Sequence, residues 1–456
     1  MSATVAARRV AYETIRAVHE SDAYANLLLP TSIVRAGLGG ADAALATELT
    51  YGTLRRQGTY DAVIAIAADR PVHDIDPAVL DALRLGVHQL LSTRVASHAA
   101  VNESVELARA AAGRGAAGFA NAVLRRVSRD TPGDWMTHVA ASARSHDEQL
   151  GLLFSHPVWI VRAFRRALAA EGRADELEAL LTADNAAPRV TMAALPGLAE
   201  PPEDARRTPF SPIGFRLGGG DPEGIVRGSG GRIRVQDEGS QLAALALTRA
   251  LPVGEGERWL DLCAGPGGKT AVLAAEALAH GASLEANEIS PARAGLVRRA
   301  LEGVPLEVPV SEQDGRIRAA EARDTYDRIL VDAPCTGLGA LRRRPEARWR
   351  KAPSDVPSLT ELQRELLDAA VGALKPGGVV AYVTCSPHLA ETAGVVTDVR
   401  REWGVAIEEI SARDVIATLS DADPGLPEQA DGSGRAQLWP HRHNTDAMSV
   451  TLLRRA

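Results

Sequence analysis

From about residue 240 the chain alternates strand-like and helix-forming runs, and this rhythm limits the possible folds more than any other feature. RWLDL is followed by a helix from Lys269, and ASLEANE by a helix opened at Ser290-Pro291. LEVPVSEQD, RILVDAP, a helix starting at Thr360 and VVAYVTCS then follow. Ser290 before Pro291 has the form of an N-cap with proline at the first helical position, and Thr360 with Gln363 that of a capping box. Such alternation predicts an α/β domain with a parallel, doubly wound sheet, whose ligands bind beyond the carboxyl ends of the strands.

Upstream the rhythm differs. Residues 2 to 130 show helical spacing, with Leu80, Leu83, Val87 and Leu90, then Val101, Val105 and Ala108, on one face of their helices. Residues 131 to 235 are mixed and end in the glycine-rich GGDPEGIVRGSGGRIRVQDEGS, which marks turns between short strands or a linker. The expected organisation is an all-α domain over 1–130, a connecting mixed α/β subdomain over 131–240 and the α/β domain over 241–456.

At 456 residues, 45% hydrophobic and 24% charged, the composition is that of a soluble multidomain protein. No apolar run approaches the roughly 20 residues that span a bilayer, and MSATVAARRVAYET lacks the apolar core of a signal peptide, so a cytoplasmic protein without a membrane partner is expected. The three cysteines, Cys263, Cys335 and Cys385, form no CxxC pair; this argues against a disulfide framework and against structural zinc, and no metal site is expected. The net charge of −7 excludes a uniformly basic nucleic-acid binder. Charge is local, however: LRRRPEARWRK (341–351) gathers Arg342, Arg343, Arg344, Arg348, Arg350 and Lys351 around Trp349. Its place directly after VDAPCTGLG favours a phosphate-contacting loop beside a reaction centre over a merely solvated face.

DLCAGPGGKT (261–270) follows the first strand of the α/β region and opens its first helix, a position that favours an anion. A phosphate-binding GxxxxGK[ST] loop needs glycine where Cys263 stands, and a dinucleotide GxGxxG needs a third glycine where Thr270 stands. The remaining option is a loop, Cys263, Ala264, Gly265, Pro266, Gly267, Gly268 and Lys269, that cradles the carboxylate and amine of a methionine moiety. Glu288 closes the second strand about 20 residues on, where an acid can hold ribose hydroxyls. Asp314 closes the third and can accept from an adenine amino group; Asp332 closes the fourth. Each acid alone fits a turn or helix cap, but three in register make S-adenosylmethionine the leading ligand.

Cys335 in VDAPC and Cys385 in VTCSPH each stand just past a predicted strand and open onto one crevice, a setting that favours reactive over filler thiols. Cys263, inside the loop, is read as structural. Two thiols beside a methyl donor suit methylation of a pyrimidine carbon. Cytosine C5 is not nucleophilic, so one thiolate adds to C6 and turns the ring into an enamine, while Asp332 hydrogen-bonds or protonates N3. After methylation the C5 proton leaves and the thiol is expelled. One cysteine attacks; the other can assist release.

DLCAGPGGKT, ANE, VDAPCTGLG with RRRPEARWR, and YVTCSPH together resemble the motifs of RNA cytosine-5 methyltransferases. YGTLRR, LRLGVHQLL, SHAAVNESVELAR and FANAVLRR resemble the NusB-like RNA-binding domain fused to such enzymes in the bacterial Sun/RsmB-type 16S ribosomal RNA methyltransferases. The resemblance covers nearly the whole chain. It implies a NusB-like all-α domain followed by a Rossmann-like methyltransferase domain, with S-adenosylmethionine contacts along Cys263–Lys269 and at Glu288, Asp314 and Asp332. It also implies attack by Cys385 of the TCS motif, and release assisted by Cys335. Four positions depart from the family pattern: Glu288 in place of Asp, Thr336 where Ser is commoner, Ser449 in place of an aromatic and Thr191 in place of Asn. The expected substrate is a cytosine of 16S rRNA and the expected state a monomer. Transfer RNA as substrate, and a non-catalytic RNA-binding assembly or antitermination factor, are the alternatives.

Overall fold

The computed structural model describes residues 3–21, 23–218 and 221–456. It divides into two compact units: Met1–Arg162 with Leu181–Ala187 and Leu341–Arg350, and Ala163–Leu180 with Pro188–Ala340 and Lys351–Ala456. All regular structure described in the first unit is helical. Its core gathers Tyr60, Val63, Leu83, Val87, Val101, Ala108, Leu124 and Trp135, so the helical spacing read from the sequence marks the buried face, with Leu90 at its margin. Asp76 accepts from the Ala78 and Val79 amides and caps Pro77–Ser92, where proline takes the first turn. The long helix Ser97–Val127 is interrupted at Ala112-Gly113, where Gly113 adopts φ +82°, a left-handed conformation open to glycine.

The basic run corrects an expectation. Residues 341–350 belong to the helical unit, and Arg348 is wholly buried there. Its guanidinium donates to the carbonyls of Arg55, Ser155 and Asp184 and to Asn185 Oδ1, at 2.7–3.1 Å. Arg350 donates to the carbonyls of Val18 and Ala23 and, like Arg344, lies over the Tyr24 ring. Arg342 is buried; Arg343 and Arg344 are exposed. Much of this charge therefore satisfies backbone acceptors at helix ends rather than facing a phosphate, because a planar fork of five donors can serve several carbonyls at once.

The second unit holds two sheets. In the smaller, β1 (Thr191–Ala194), β2 (Arg206–Arg207), β3 (Gly214–Arg216) and β4 (Ile233–Val235) pair antiparallel in the order β2-β3-β1-β4. The larger contains β5 (Arg258–Asp261), β6 (Ser283–Asn287), β7 (Val310–Ser311), β8 (Tyr326–Asp332), β9 (Leu374–Thr384), β10 (Ile407–Ile410), β11 (Ala436–Gln437) and β12 (Ser449–Arg455). Its order is β10-β12-β9-β8-β5-β6-β7, with β11 beside β12. Strands β5 to β9 are parallel as expected, but β12 runs antiparallel to both of its neighbours, β9 and β10, so the sheet is mixed. Strand order reverses between β5 and β8, which puts a switch-point crevice beyond Asp261 and Asp332.

Two local expectations change. The helix given to Thr360 runs over Val356–Ala373, so Thr360 lies inside it and donates to Pro357 O instead of capping. Ser290 does precede the helix Pro291–Leu301, but its side chain makes no capping bond.

His443 sits in the core of the second unit. Its Nδ1 accepts from the Trp439 amide at 2.8 Å and its Nε2 donates to Pro424 O at 2.9 Å, which requires the neutral ring. Burial pulls its pKa down to about 4. Between about 6.5 and 4 the unfolded chain therefore binds a proton that the folded chain refuses, and stability present above pH 6.5 is lost as the pH falls. The full contribution is about 3 kcal/mol. Burial raises Asp261 to about 7 and works in the opposite sense, so the comparison is made against a variant. Urea unfolding at pH 7 and pH 4.5 is expected to show that His443→Gln loses less stability on acidification than the parent; equal losses would refute the assignment.

Candidate active site

The loop after β5 enters the helix Gly268–His280 through Gly267, which has φ +102° and no side chain to cap the first turn. A Cβ there would meet Ala300 Cβ at 2.6 Å and Val297 Cα at 2.9 Å, so both conformation and space demand glycine. A Cβ at Gly265 would lie 2.3 Å from Glu288 Oε2. The Glu288 carboxylate is buried at the end of β6 and accepts from the amides of Gly265 and Ser290, each at 3.0 Å. Glu for Asp at this position is thus accommodated by the bare loop. Free first-turn N–H groups, backbone stripped of side chains and a fixed acid at the end of the adjacent strand are what a zwitterionic, ribose-bearing cofactor needs. The residues fit such a group.

Asp314 serves as N-cap of Gly315–Ala320, accepting from the Arg316 amide at 2.9 Å, and pairs with the Arg316 guanidinium. Its carboxylate is therefore already engaged locally. The third strand is only Val310–Ser311, shorter than LEVPVSEQD implied. Burial drives the Cys263 thiol far up, with Asp261, Asp332 and Glu288 adding to the effect, which keeps it an inert thiol as the structural reading expects.

Strands β8 and β9 are parallel neighbours, and the two loops that leave their carboxyl ends carry Cys335 and Cys385. The sulfurs lie 3.4 Å apart. Lys269 reaches into the same crevice and donates to Asp332 Oδ2 at 2.8 Å. Burial opposes its charge, but Asp332 and Cys385 more than offset this and hold its pKa above the usual lysine value. The two thiols are unequal. Cys385 is lowered from the ordinary thiol range, first by its hydrogen bond with Cys335 and then, against burial and Asp332, because Lys269 is near. Cys335 is raised well above that range by the same bond and by burial. The bond thus favours the proton on Cys335 and makes Cys385 the thiol that ionises more readily, and thiolate is the attacking form.

The loops also fit closely. The Gly339 amide donates to Cys385 O at 2.8 Å, and Gly339 O accepts from the Ala447 amide at 2.9 Å. A Cβ on Gly339 would fall 1.9 Å from Ala447 O, so glycine is required by proximity. Ser449 pairs in register with Thr384, one residue before Cys385, and is buried, so no aromatic ring occupies that place beneath the thiol. Thr191 is likewise buried, at the start of β1. Gln363 was read only as a capping-box partner of Thr360 and no motif flags Glu391, yet both are completely buried beneath the cysteine loops. A lone acid five residues past the TCS motif has no periodic or spacing signal.

Residues 248–454 match the family model described as 16S rRNA methyltransferase RsmB/F, and residues 5–129 match the NusB family. Fold, site and match together define the class: an S-adenosylmethionine-dependent RNA methyltransferase with an N-terminal all-helical NusB domain. The chain is 49% identical to Rv1407 of Mycobacterium tuberculosis (strain ATCC 25618 / H37Rv), a methyltransferase by name, over 98% of this chain and 96% of that protein. It is 33% identical to ribosomal RNA small subunit methyltransferase B of Erwinia tasmaniensis, over 83% of this chain and 86% of the relative. It therefore belongs to the RsmB/F family of ribosomal RNA methyltransferases. The crystal structure of PH0851 shares the fold, with a TM-score of 0.78, 23% identity and 99% of both chains covered. Among the described residues no helix is long and apolar enough to cross a membrane.

Proposed function

We propose that this chain methylates C5 of a cytosine in 16S rRNA, with Cys385 as nucleophile and Cys335 as the group that assists release. The observation that carries this reading is the pair of unequal thiols 3.4 Å apart at the ends of adjacent parallel strands. Cys385 Sγ attacks C6 of the base while the proton that N3 gains passes from the Lys269 ammonium through Asp332, whose carboxylate also accepts from the 4-amino group. S-adenosylmethionine, when bound, supplies the methyl group to C5. The C5 proton then passes to solvent, its C–H electrons re-form the C5–C6 double bond and expel Cys385 as a thiolate that the Cys335 S–H hydrogen-bonds, and the N3 proton returns through Asp332 to Lys269. The cofactor is assigned to Cys263, Ala264, Gly265, Pro266, Gly267, Gly268, Lys269, Glu288, Asp314 and Asp332.

In this reading residues 1–130 bind RNA, 131–240 connect, and 241–456 carry out transfer, in a cytoplasmic monomer. Arg55 and Arg56 support the first role: with His88, Ser92 and Asn185 they line a polar cavity of about 420 Å³. The test is methyl transfer from labelled S-adenosylmethionine to 16S rRNA and to transfer RNA, followed by bisulfite mapping. Label at a single 16S cytosine is expected; label in transfer RNA alone, or on a base other than cytosine, would overturn the substrate.

The charge state of the thiols also predicts a pH profile. The acid limb of the transfer rate is expected to turn over below the ordinary thiol value of about 8.5, because Cys385 ionises early. Below that point the rate should fall about tenfold per pH unit, as the thiolate fraction does. Single-turnover rates between pH 5.5 and 9.5 check it, and a limb centred at 9 or above would refute it.

A further inference from the structure

Beneath the two cysteine loops lies a carboxylate that no motif accounts for. Glu391 is fully buried in the 3₁₀ turn Leu389–Glu391, just after the TCS loop. Its Oε1 accepts from the Thr336 amide at 2.7 Å and from Gln363 Nε2 at 3.2 Å. Its Oε2 accepts from the Thr336 hydroxyl and, at 2.6 Å, from the Ser386 hydroxyl. Thr336 follows Cys335 and Ser386 follows Cys385, so one carboxylate holds the residue next to each thiol. Gln363 extends the bracket by donating to Pro334 O at 2.8 Å, on the other side of Cys335. The glutamate is itself anchored, since its carbonyl accepts from the Tyr382 hydroxyl at 2.7 Å.

This carboxylate accepts from neutral donors on three segments: the Cys335 loop, the Cys385 loop and the helix Val356–Ala373. Taking an acid fully out of water is costly and is sustained only by a complete set of donors. Four donors converge on its two oxygens. Such a bracket is rigid, and what it makes rigid is the separation of two sulfurs that must exchange hydrogen-bonding roles during one reaction. Thr336 can stand where serine is commoner because either residue brings the hydroxyl.

We propose that Glu391 is a positioning residue that sets the Cys335–Cys385 distance, so that the thiol assisting release stays beside the thiol that attacks. This rests on the two-thiol mechanism above but is testable without RNA. In the full-length protein, diamide oxidises two neighbouring thiols to a disulfide. Both S–H bonds break, the two sulfurs join, and the two protons and two electrons reduce the N=N bond to a hydrazine. The rate of that closure reports how well the sulfurs are juxtaposed, whichever thiol attacks a base.

Mass spectrometry of the Cys335–Cys385 cross-link is expected to show closure at least about tenfold slower in Glu391→Ala. Glu391→Gln should stay within about twofold of the parent, because its amide can donate to the two hydroxyls while its carbonyl accepts from the two N–H groups. S-adenosylmethionine affinity by calorimetry should be unchanged in both, which a general loss of folding would not allow. Parent-like closure in a folded Glu391→Ala overturns the proposal. If that variant does not fold, Thr336→Val decides: closure slowed threefold or more supports the bracket, and an unchanged rate overturns it. Failure of methyl transfer to cytosine with closure behaving as stated would instead refute the mechanism and leave the bracket standing.

Discussion

Cys385→Ala is expected to abolish methyl transfer, by a factor on the order of 10⁴ or more, whereas Cys335→Ala is expected to accumulate a covalent RNA–protein adduct. The asymmetry follows from the one bond between the sulfurs. The bond pushes Cys335 up and Cys385 down, so Cys385 is the thiol assigned to attack and Cys335 the one assigned to hold the proton. Removing Cys385 removes the nucleophile, and no alternative thiol is ready, because Cys335 is held far above its ordinary ionisation range. Removing Cys335 leaves the nucleophile but deletes its hydrogen-bond donor. Attack should then be slower near neutrality and recover at higher pH, with release impaired throughout. Denaturing gels of reactions with labelled RNA show the trapped adduct as a slow band. An adduct in Cys385→Ala, or full activity in that variant, would reverse the assignment of the two thiols.

Arg348→Ala is expected to destabilise the helical unit by about 3–5 kcal/mol, because several buried carbonyls lose their donor at once. Arg348 donates to Arg55 O, Ser155 O, Asp184 O and Asn185 Oδ1 with no exposure of its own. Burial lowers its pKa to about 10, with nearby Asp184 opposing that fall, and the guanidinium stays charged at neutral pH. Arg348→Lys should recover little, since a single ammonium cannot span acceptors arranged around a planar fork. Urea unfolding of the full-length chain measures both variants. A loss under about 1 kcal/mol for the alanine variant would mean that water replaces the guanidinium and that the residue is kept for RNA after all.

These two residues show what was legible in the chain and why. Cys385 could be found because its address is local: a β-rich run, then TCS, just past a strand end. The glycine loop was legible for the same reason, and the structure adds that Gly265 and Gly267 are demanded by Glu288 and by Val297 and Ala300, neighbours distant in sequence. Arg348 was misleading. A run of arginines after a catalytic motif looks the same whether it meets phosphates or backbone carbonyls, and only burial tells them apart. Asp314 was placed at the right strand end, yet in the structure it caps a helix and pairs with Arg316. Gln363 was read as a helix-capping partner and Glu391 not at all, since nothing in their spacing ties either to the cysteine loops.

The amino-acid sequence by itself determined the helical N-terminal domain, the order of strands β5 to β9 and the two strand ends that carry thiols, because periodicity, glycine spacing and strand-end position act within a few residues of one another. Only the tertiary structure decided that the two sulfurs lie in contact, that Lys269 turns to Asp332, that β12 runs antiparallel beside β9 and that one buried carboxylate joins the two cysteine loops. Those outcomes depend on distances between segments 50 or more residues apart, such as Cys335 and Cys385, and on how much water each group loses. Neither quantity is encoded in any local pattern.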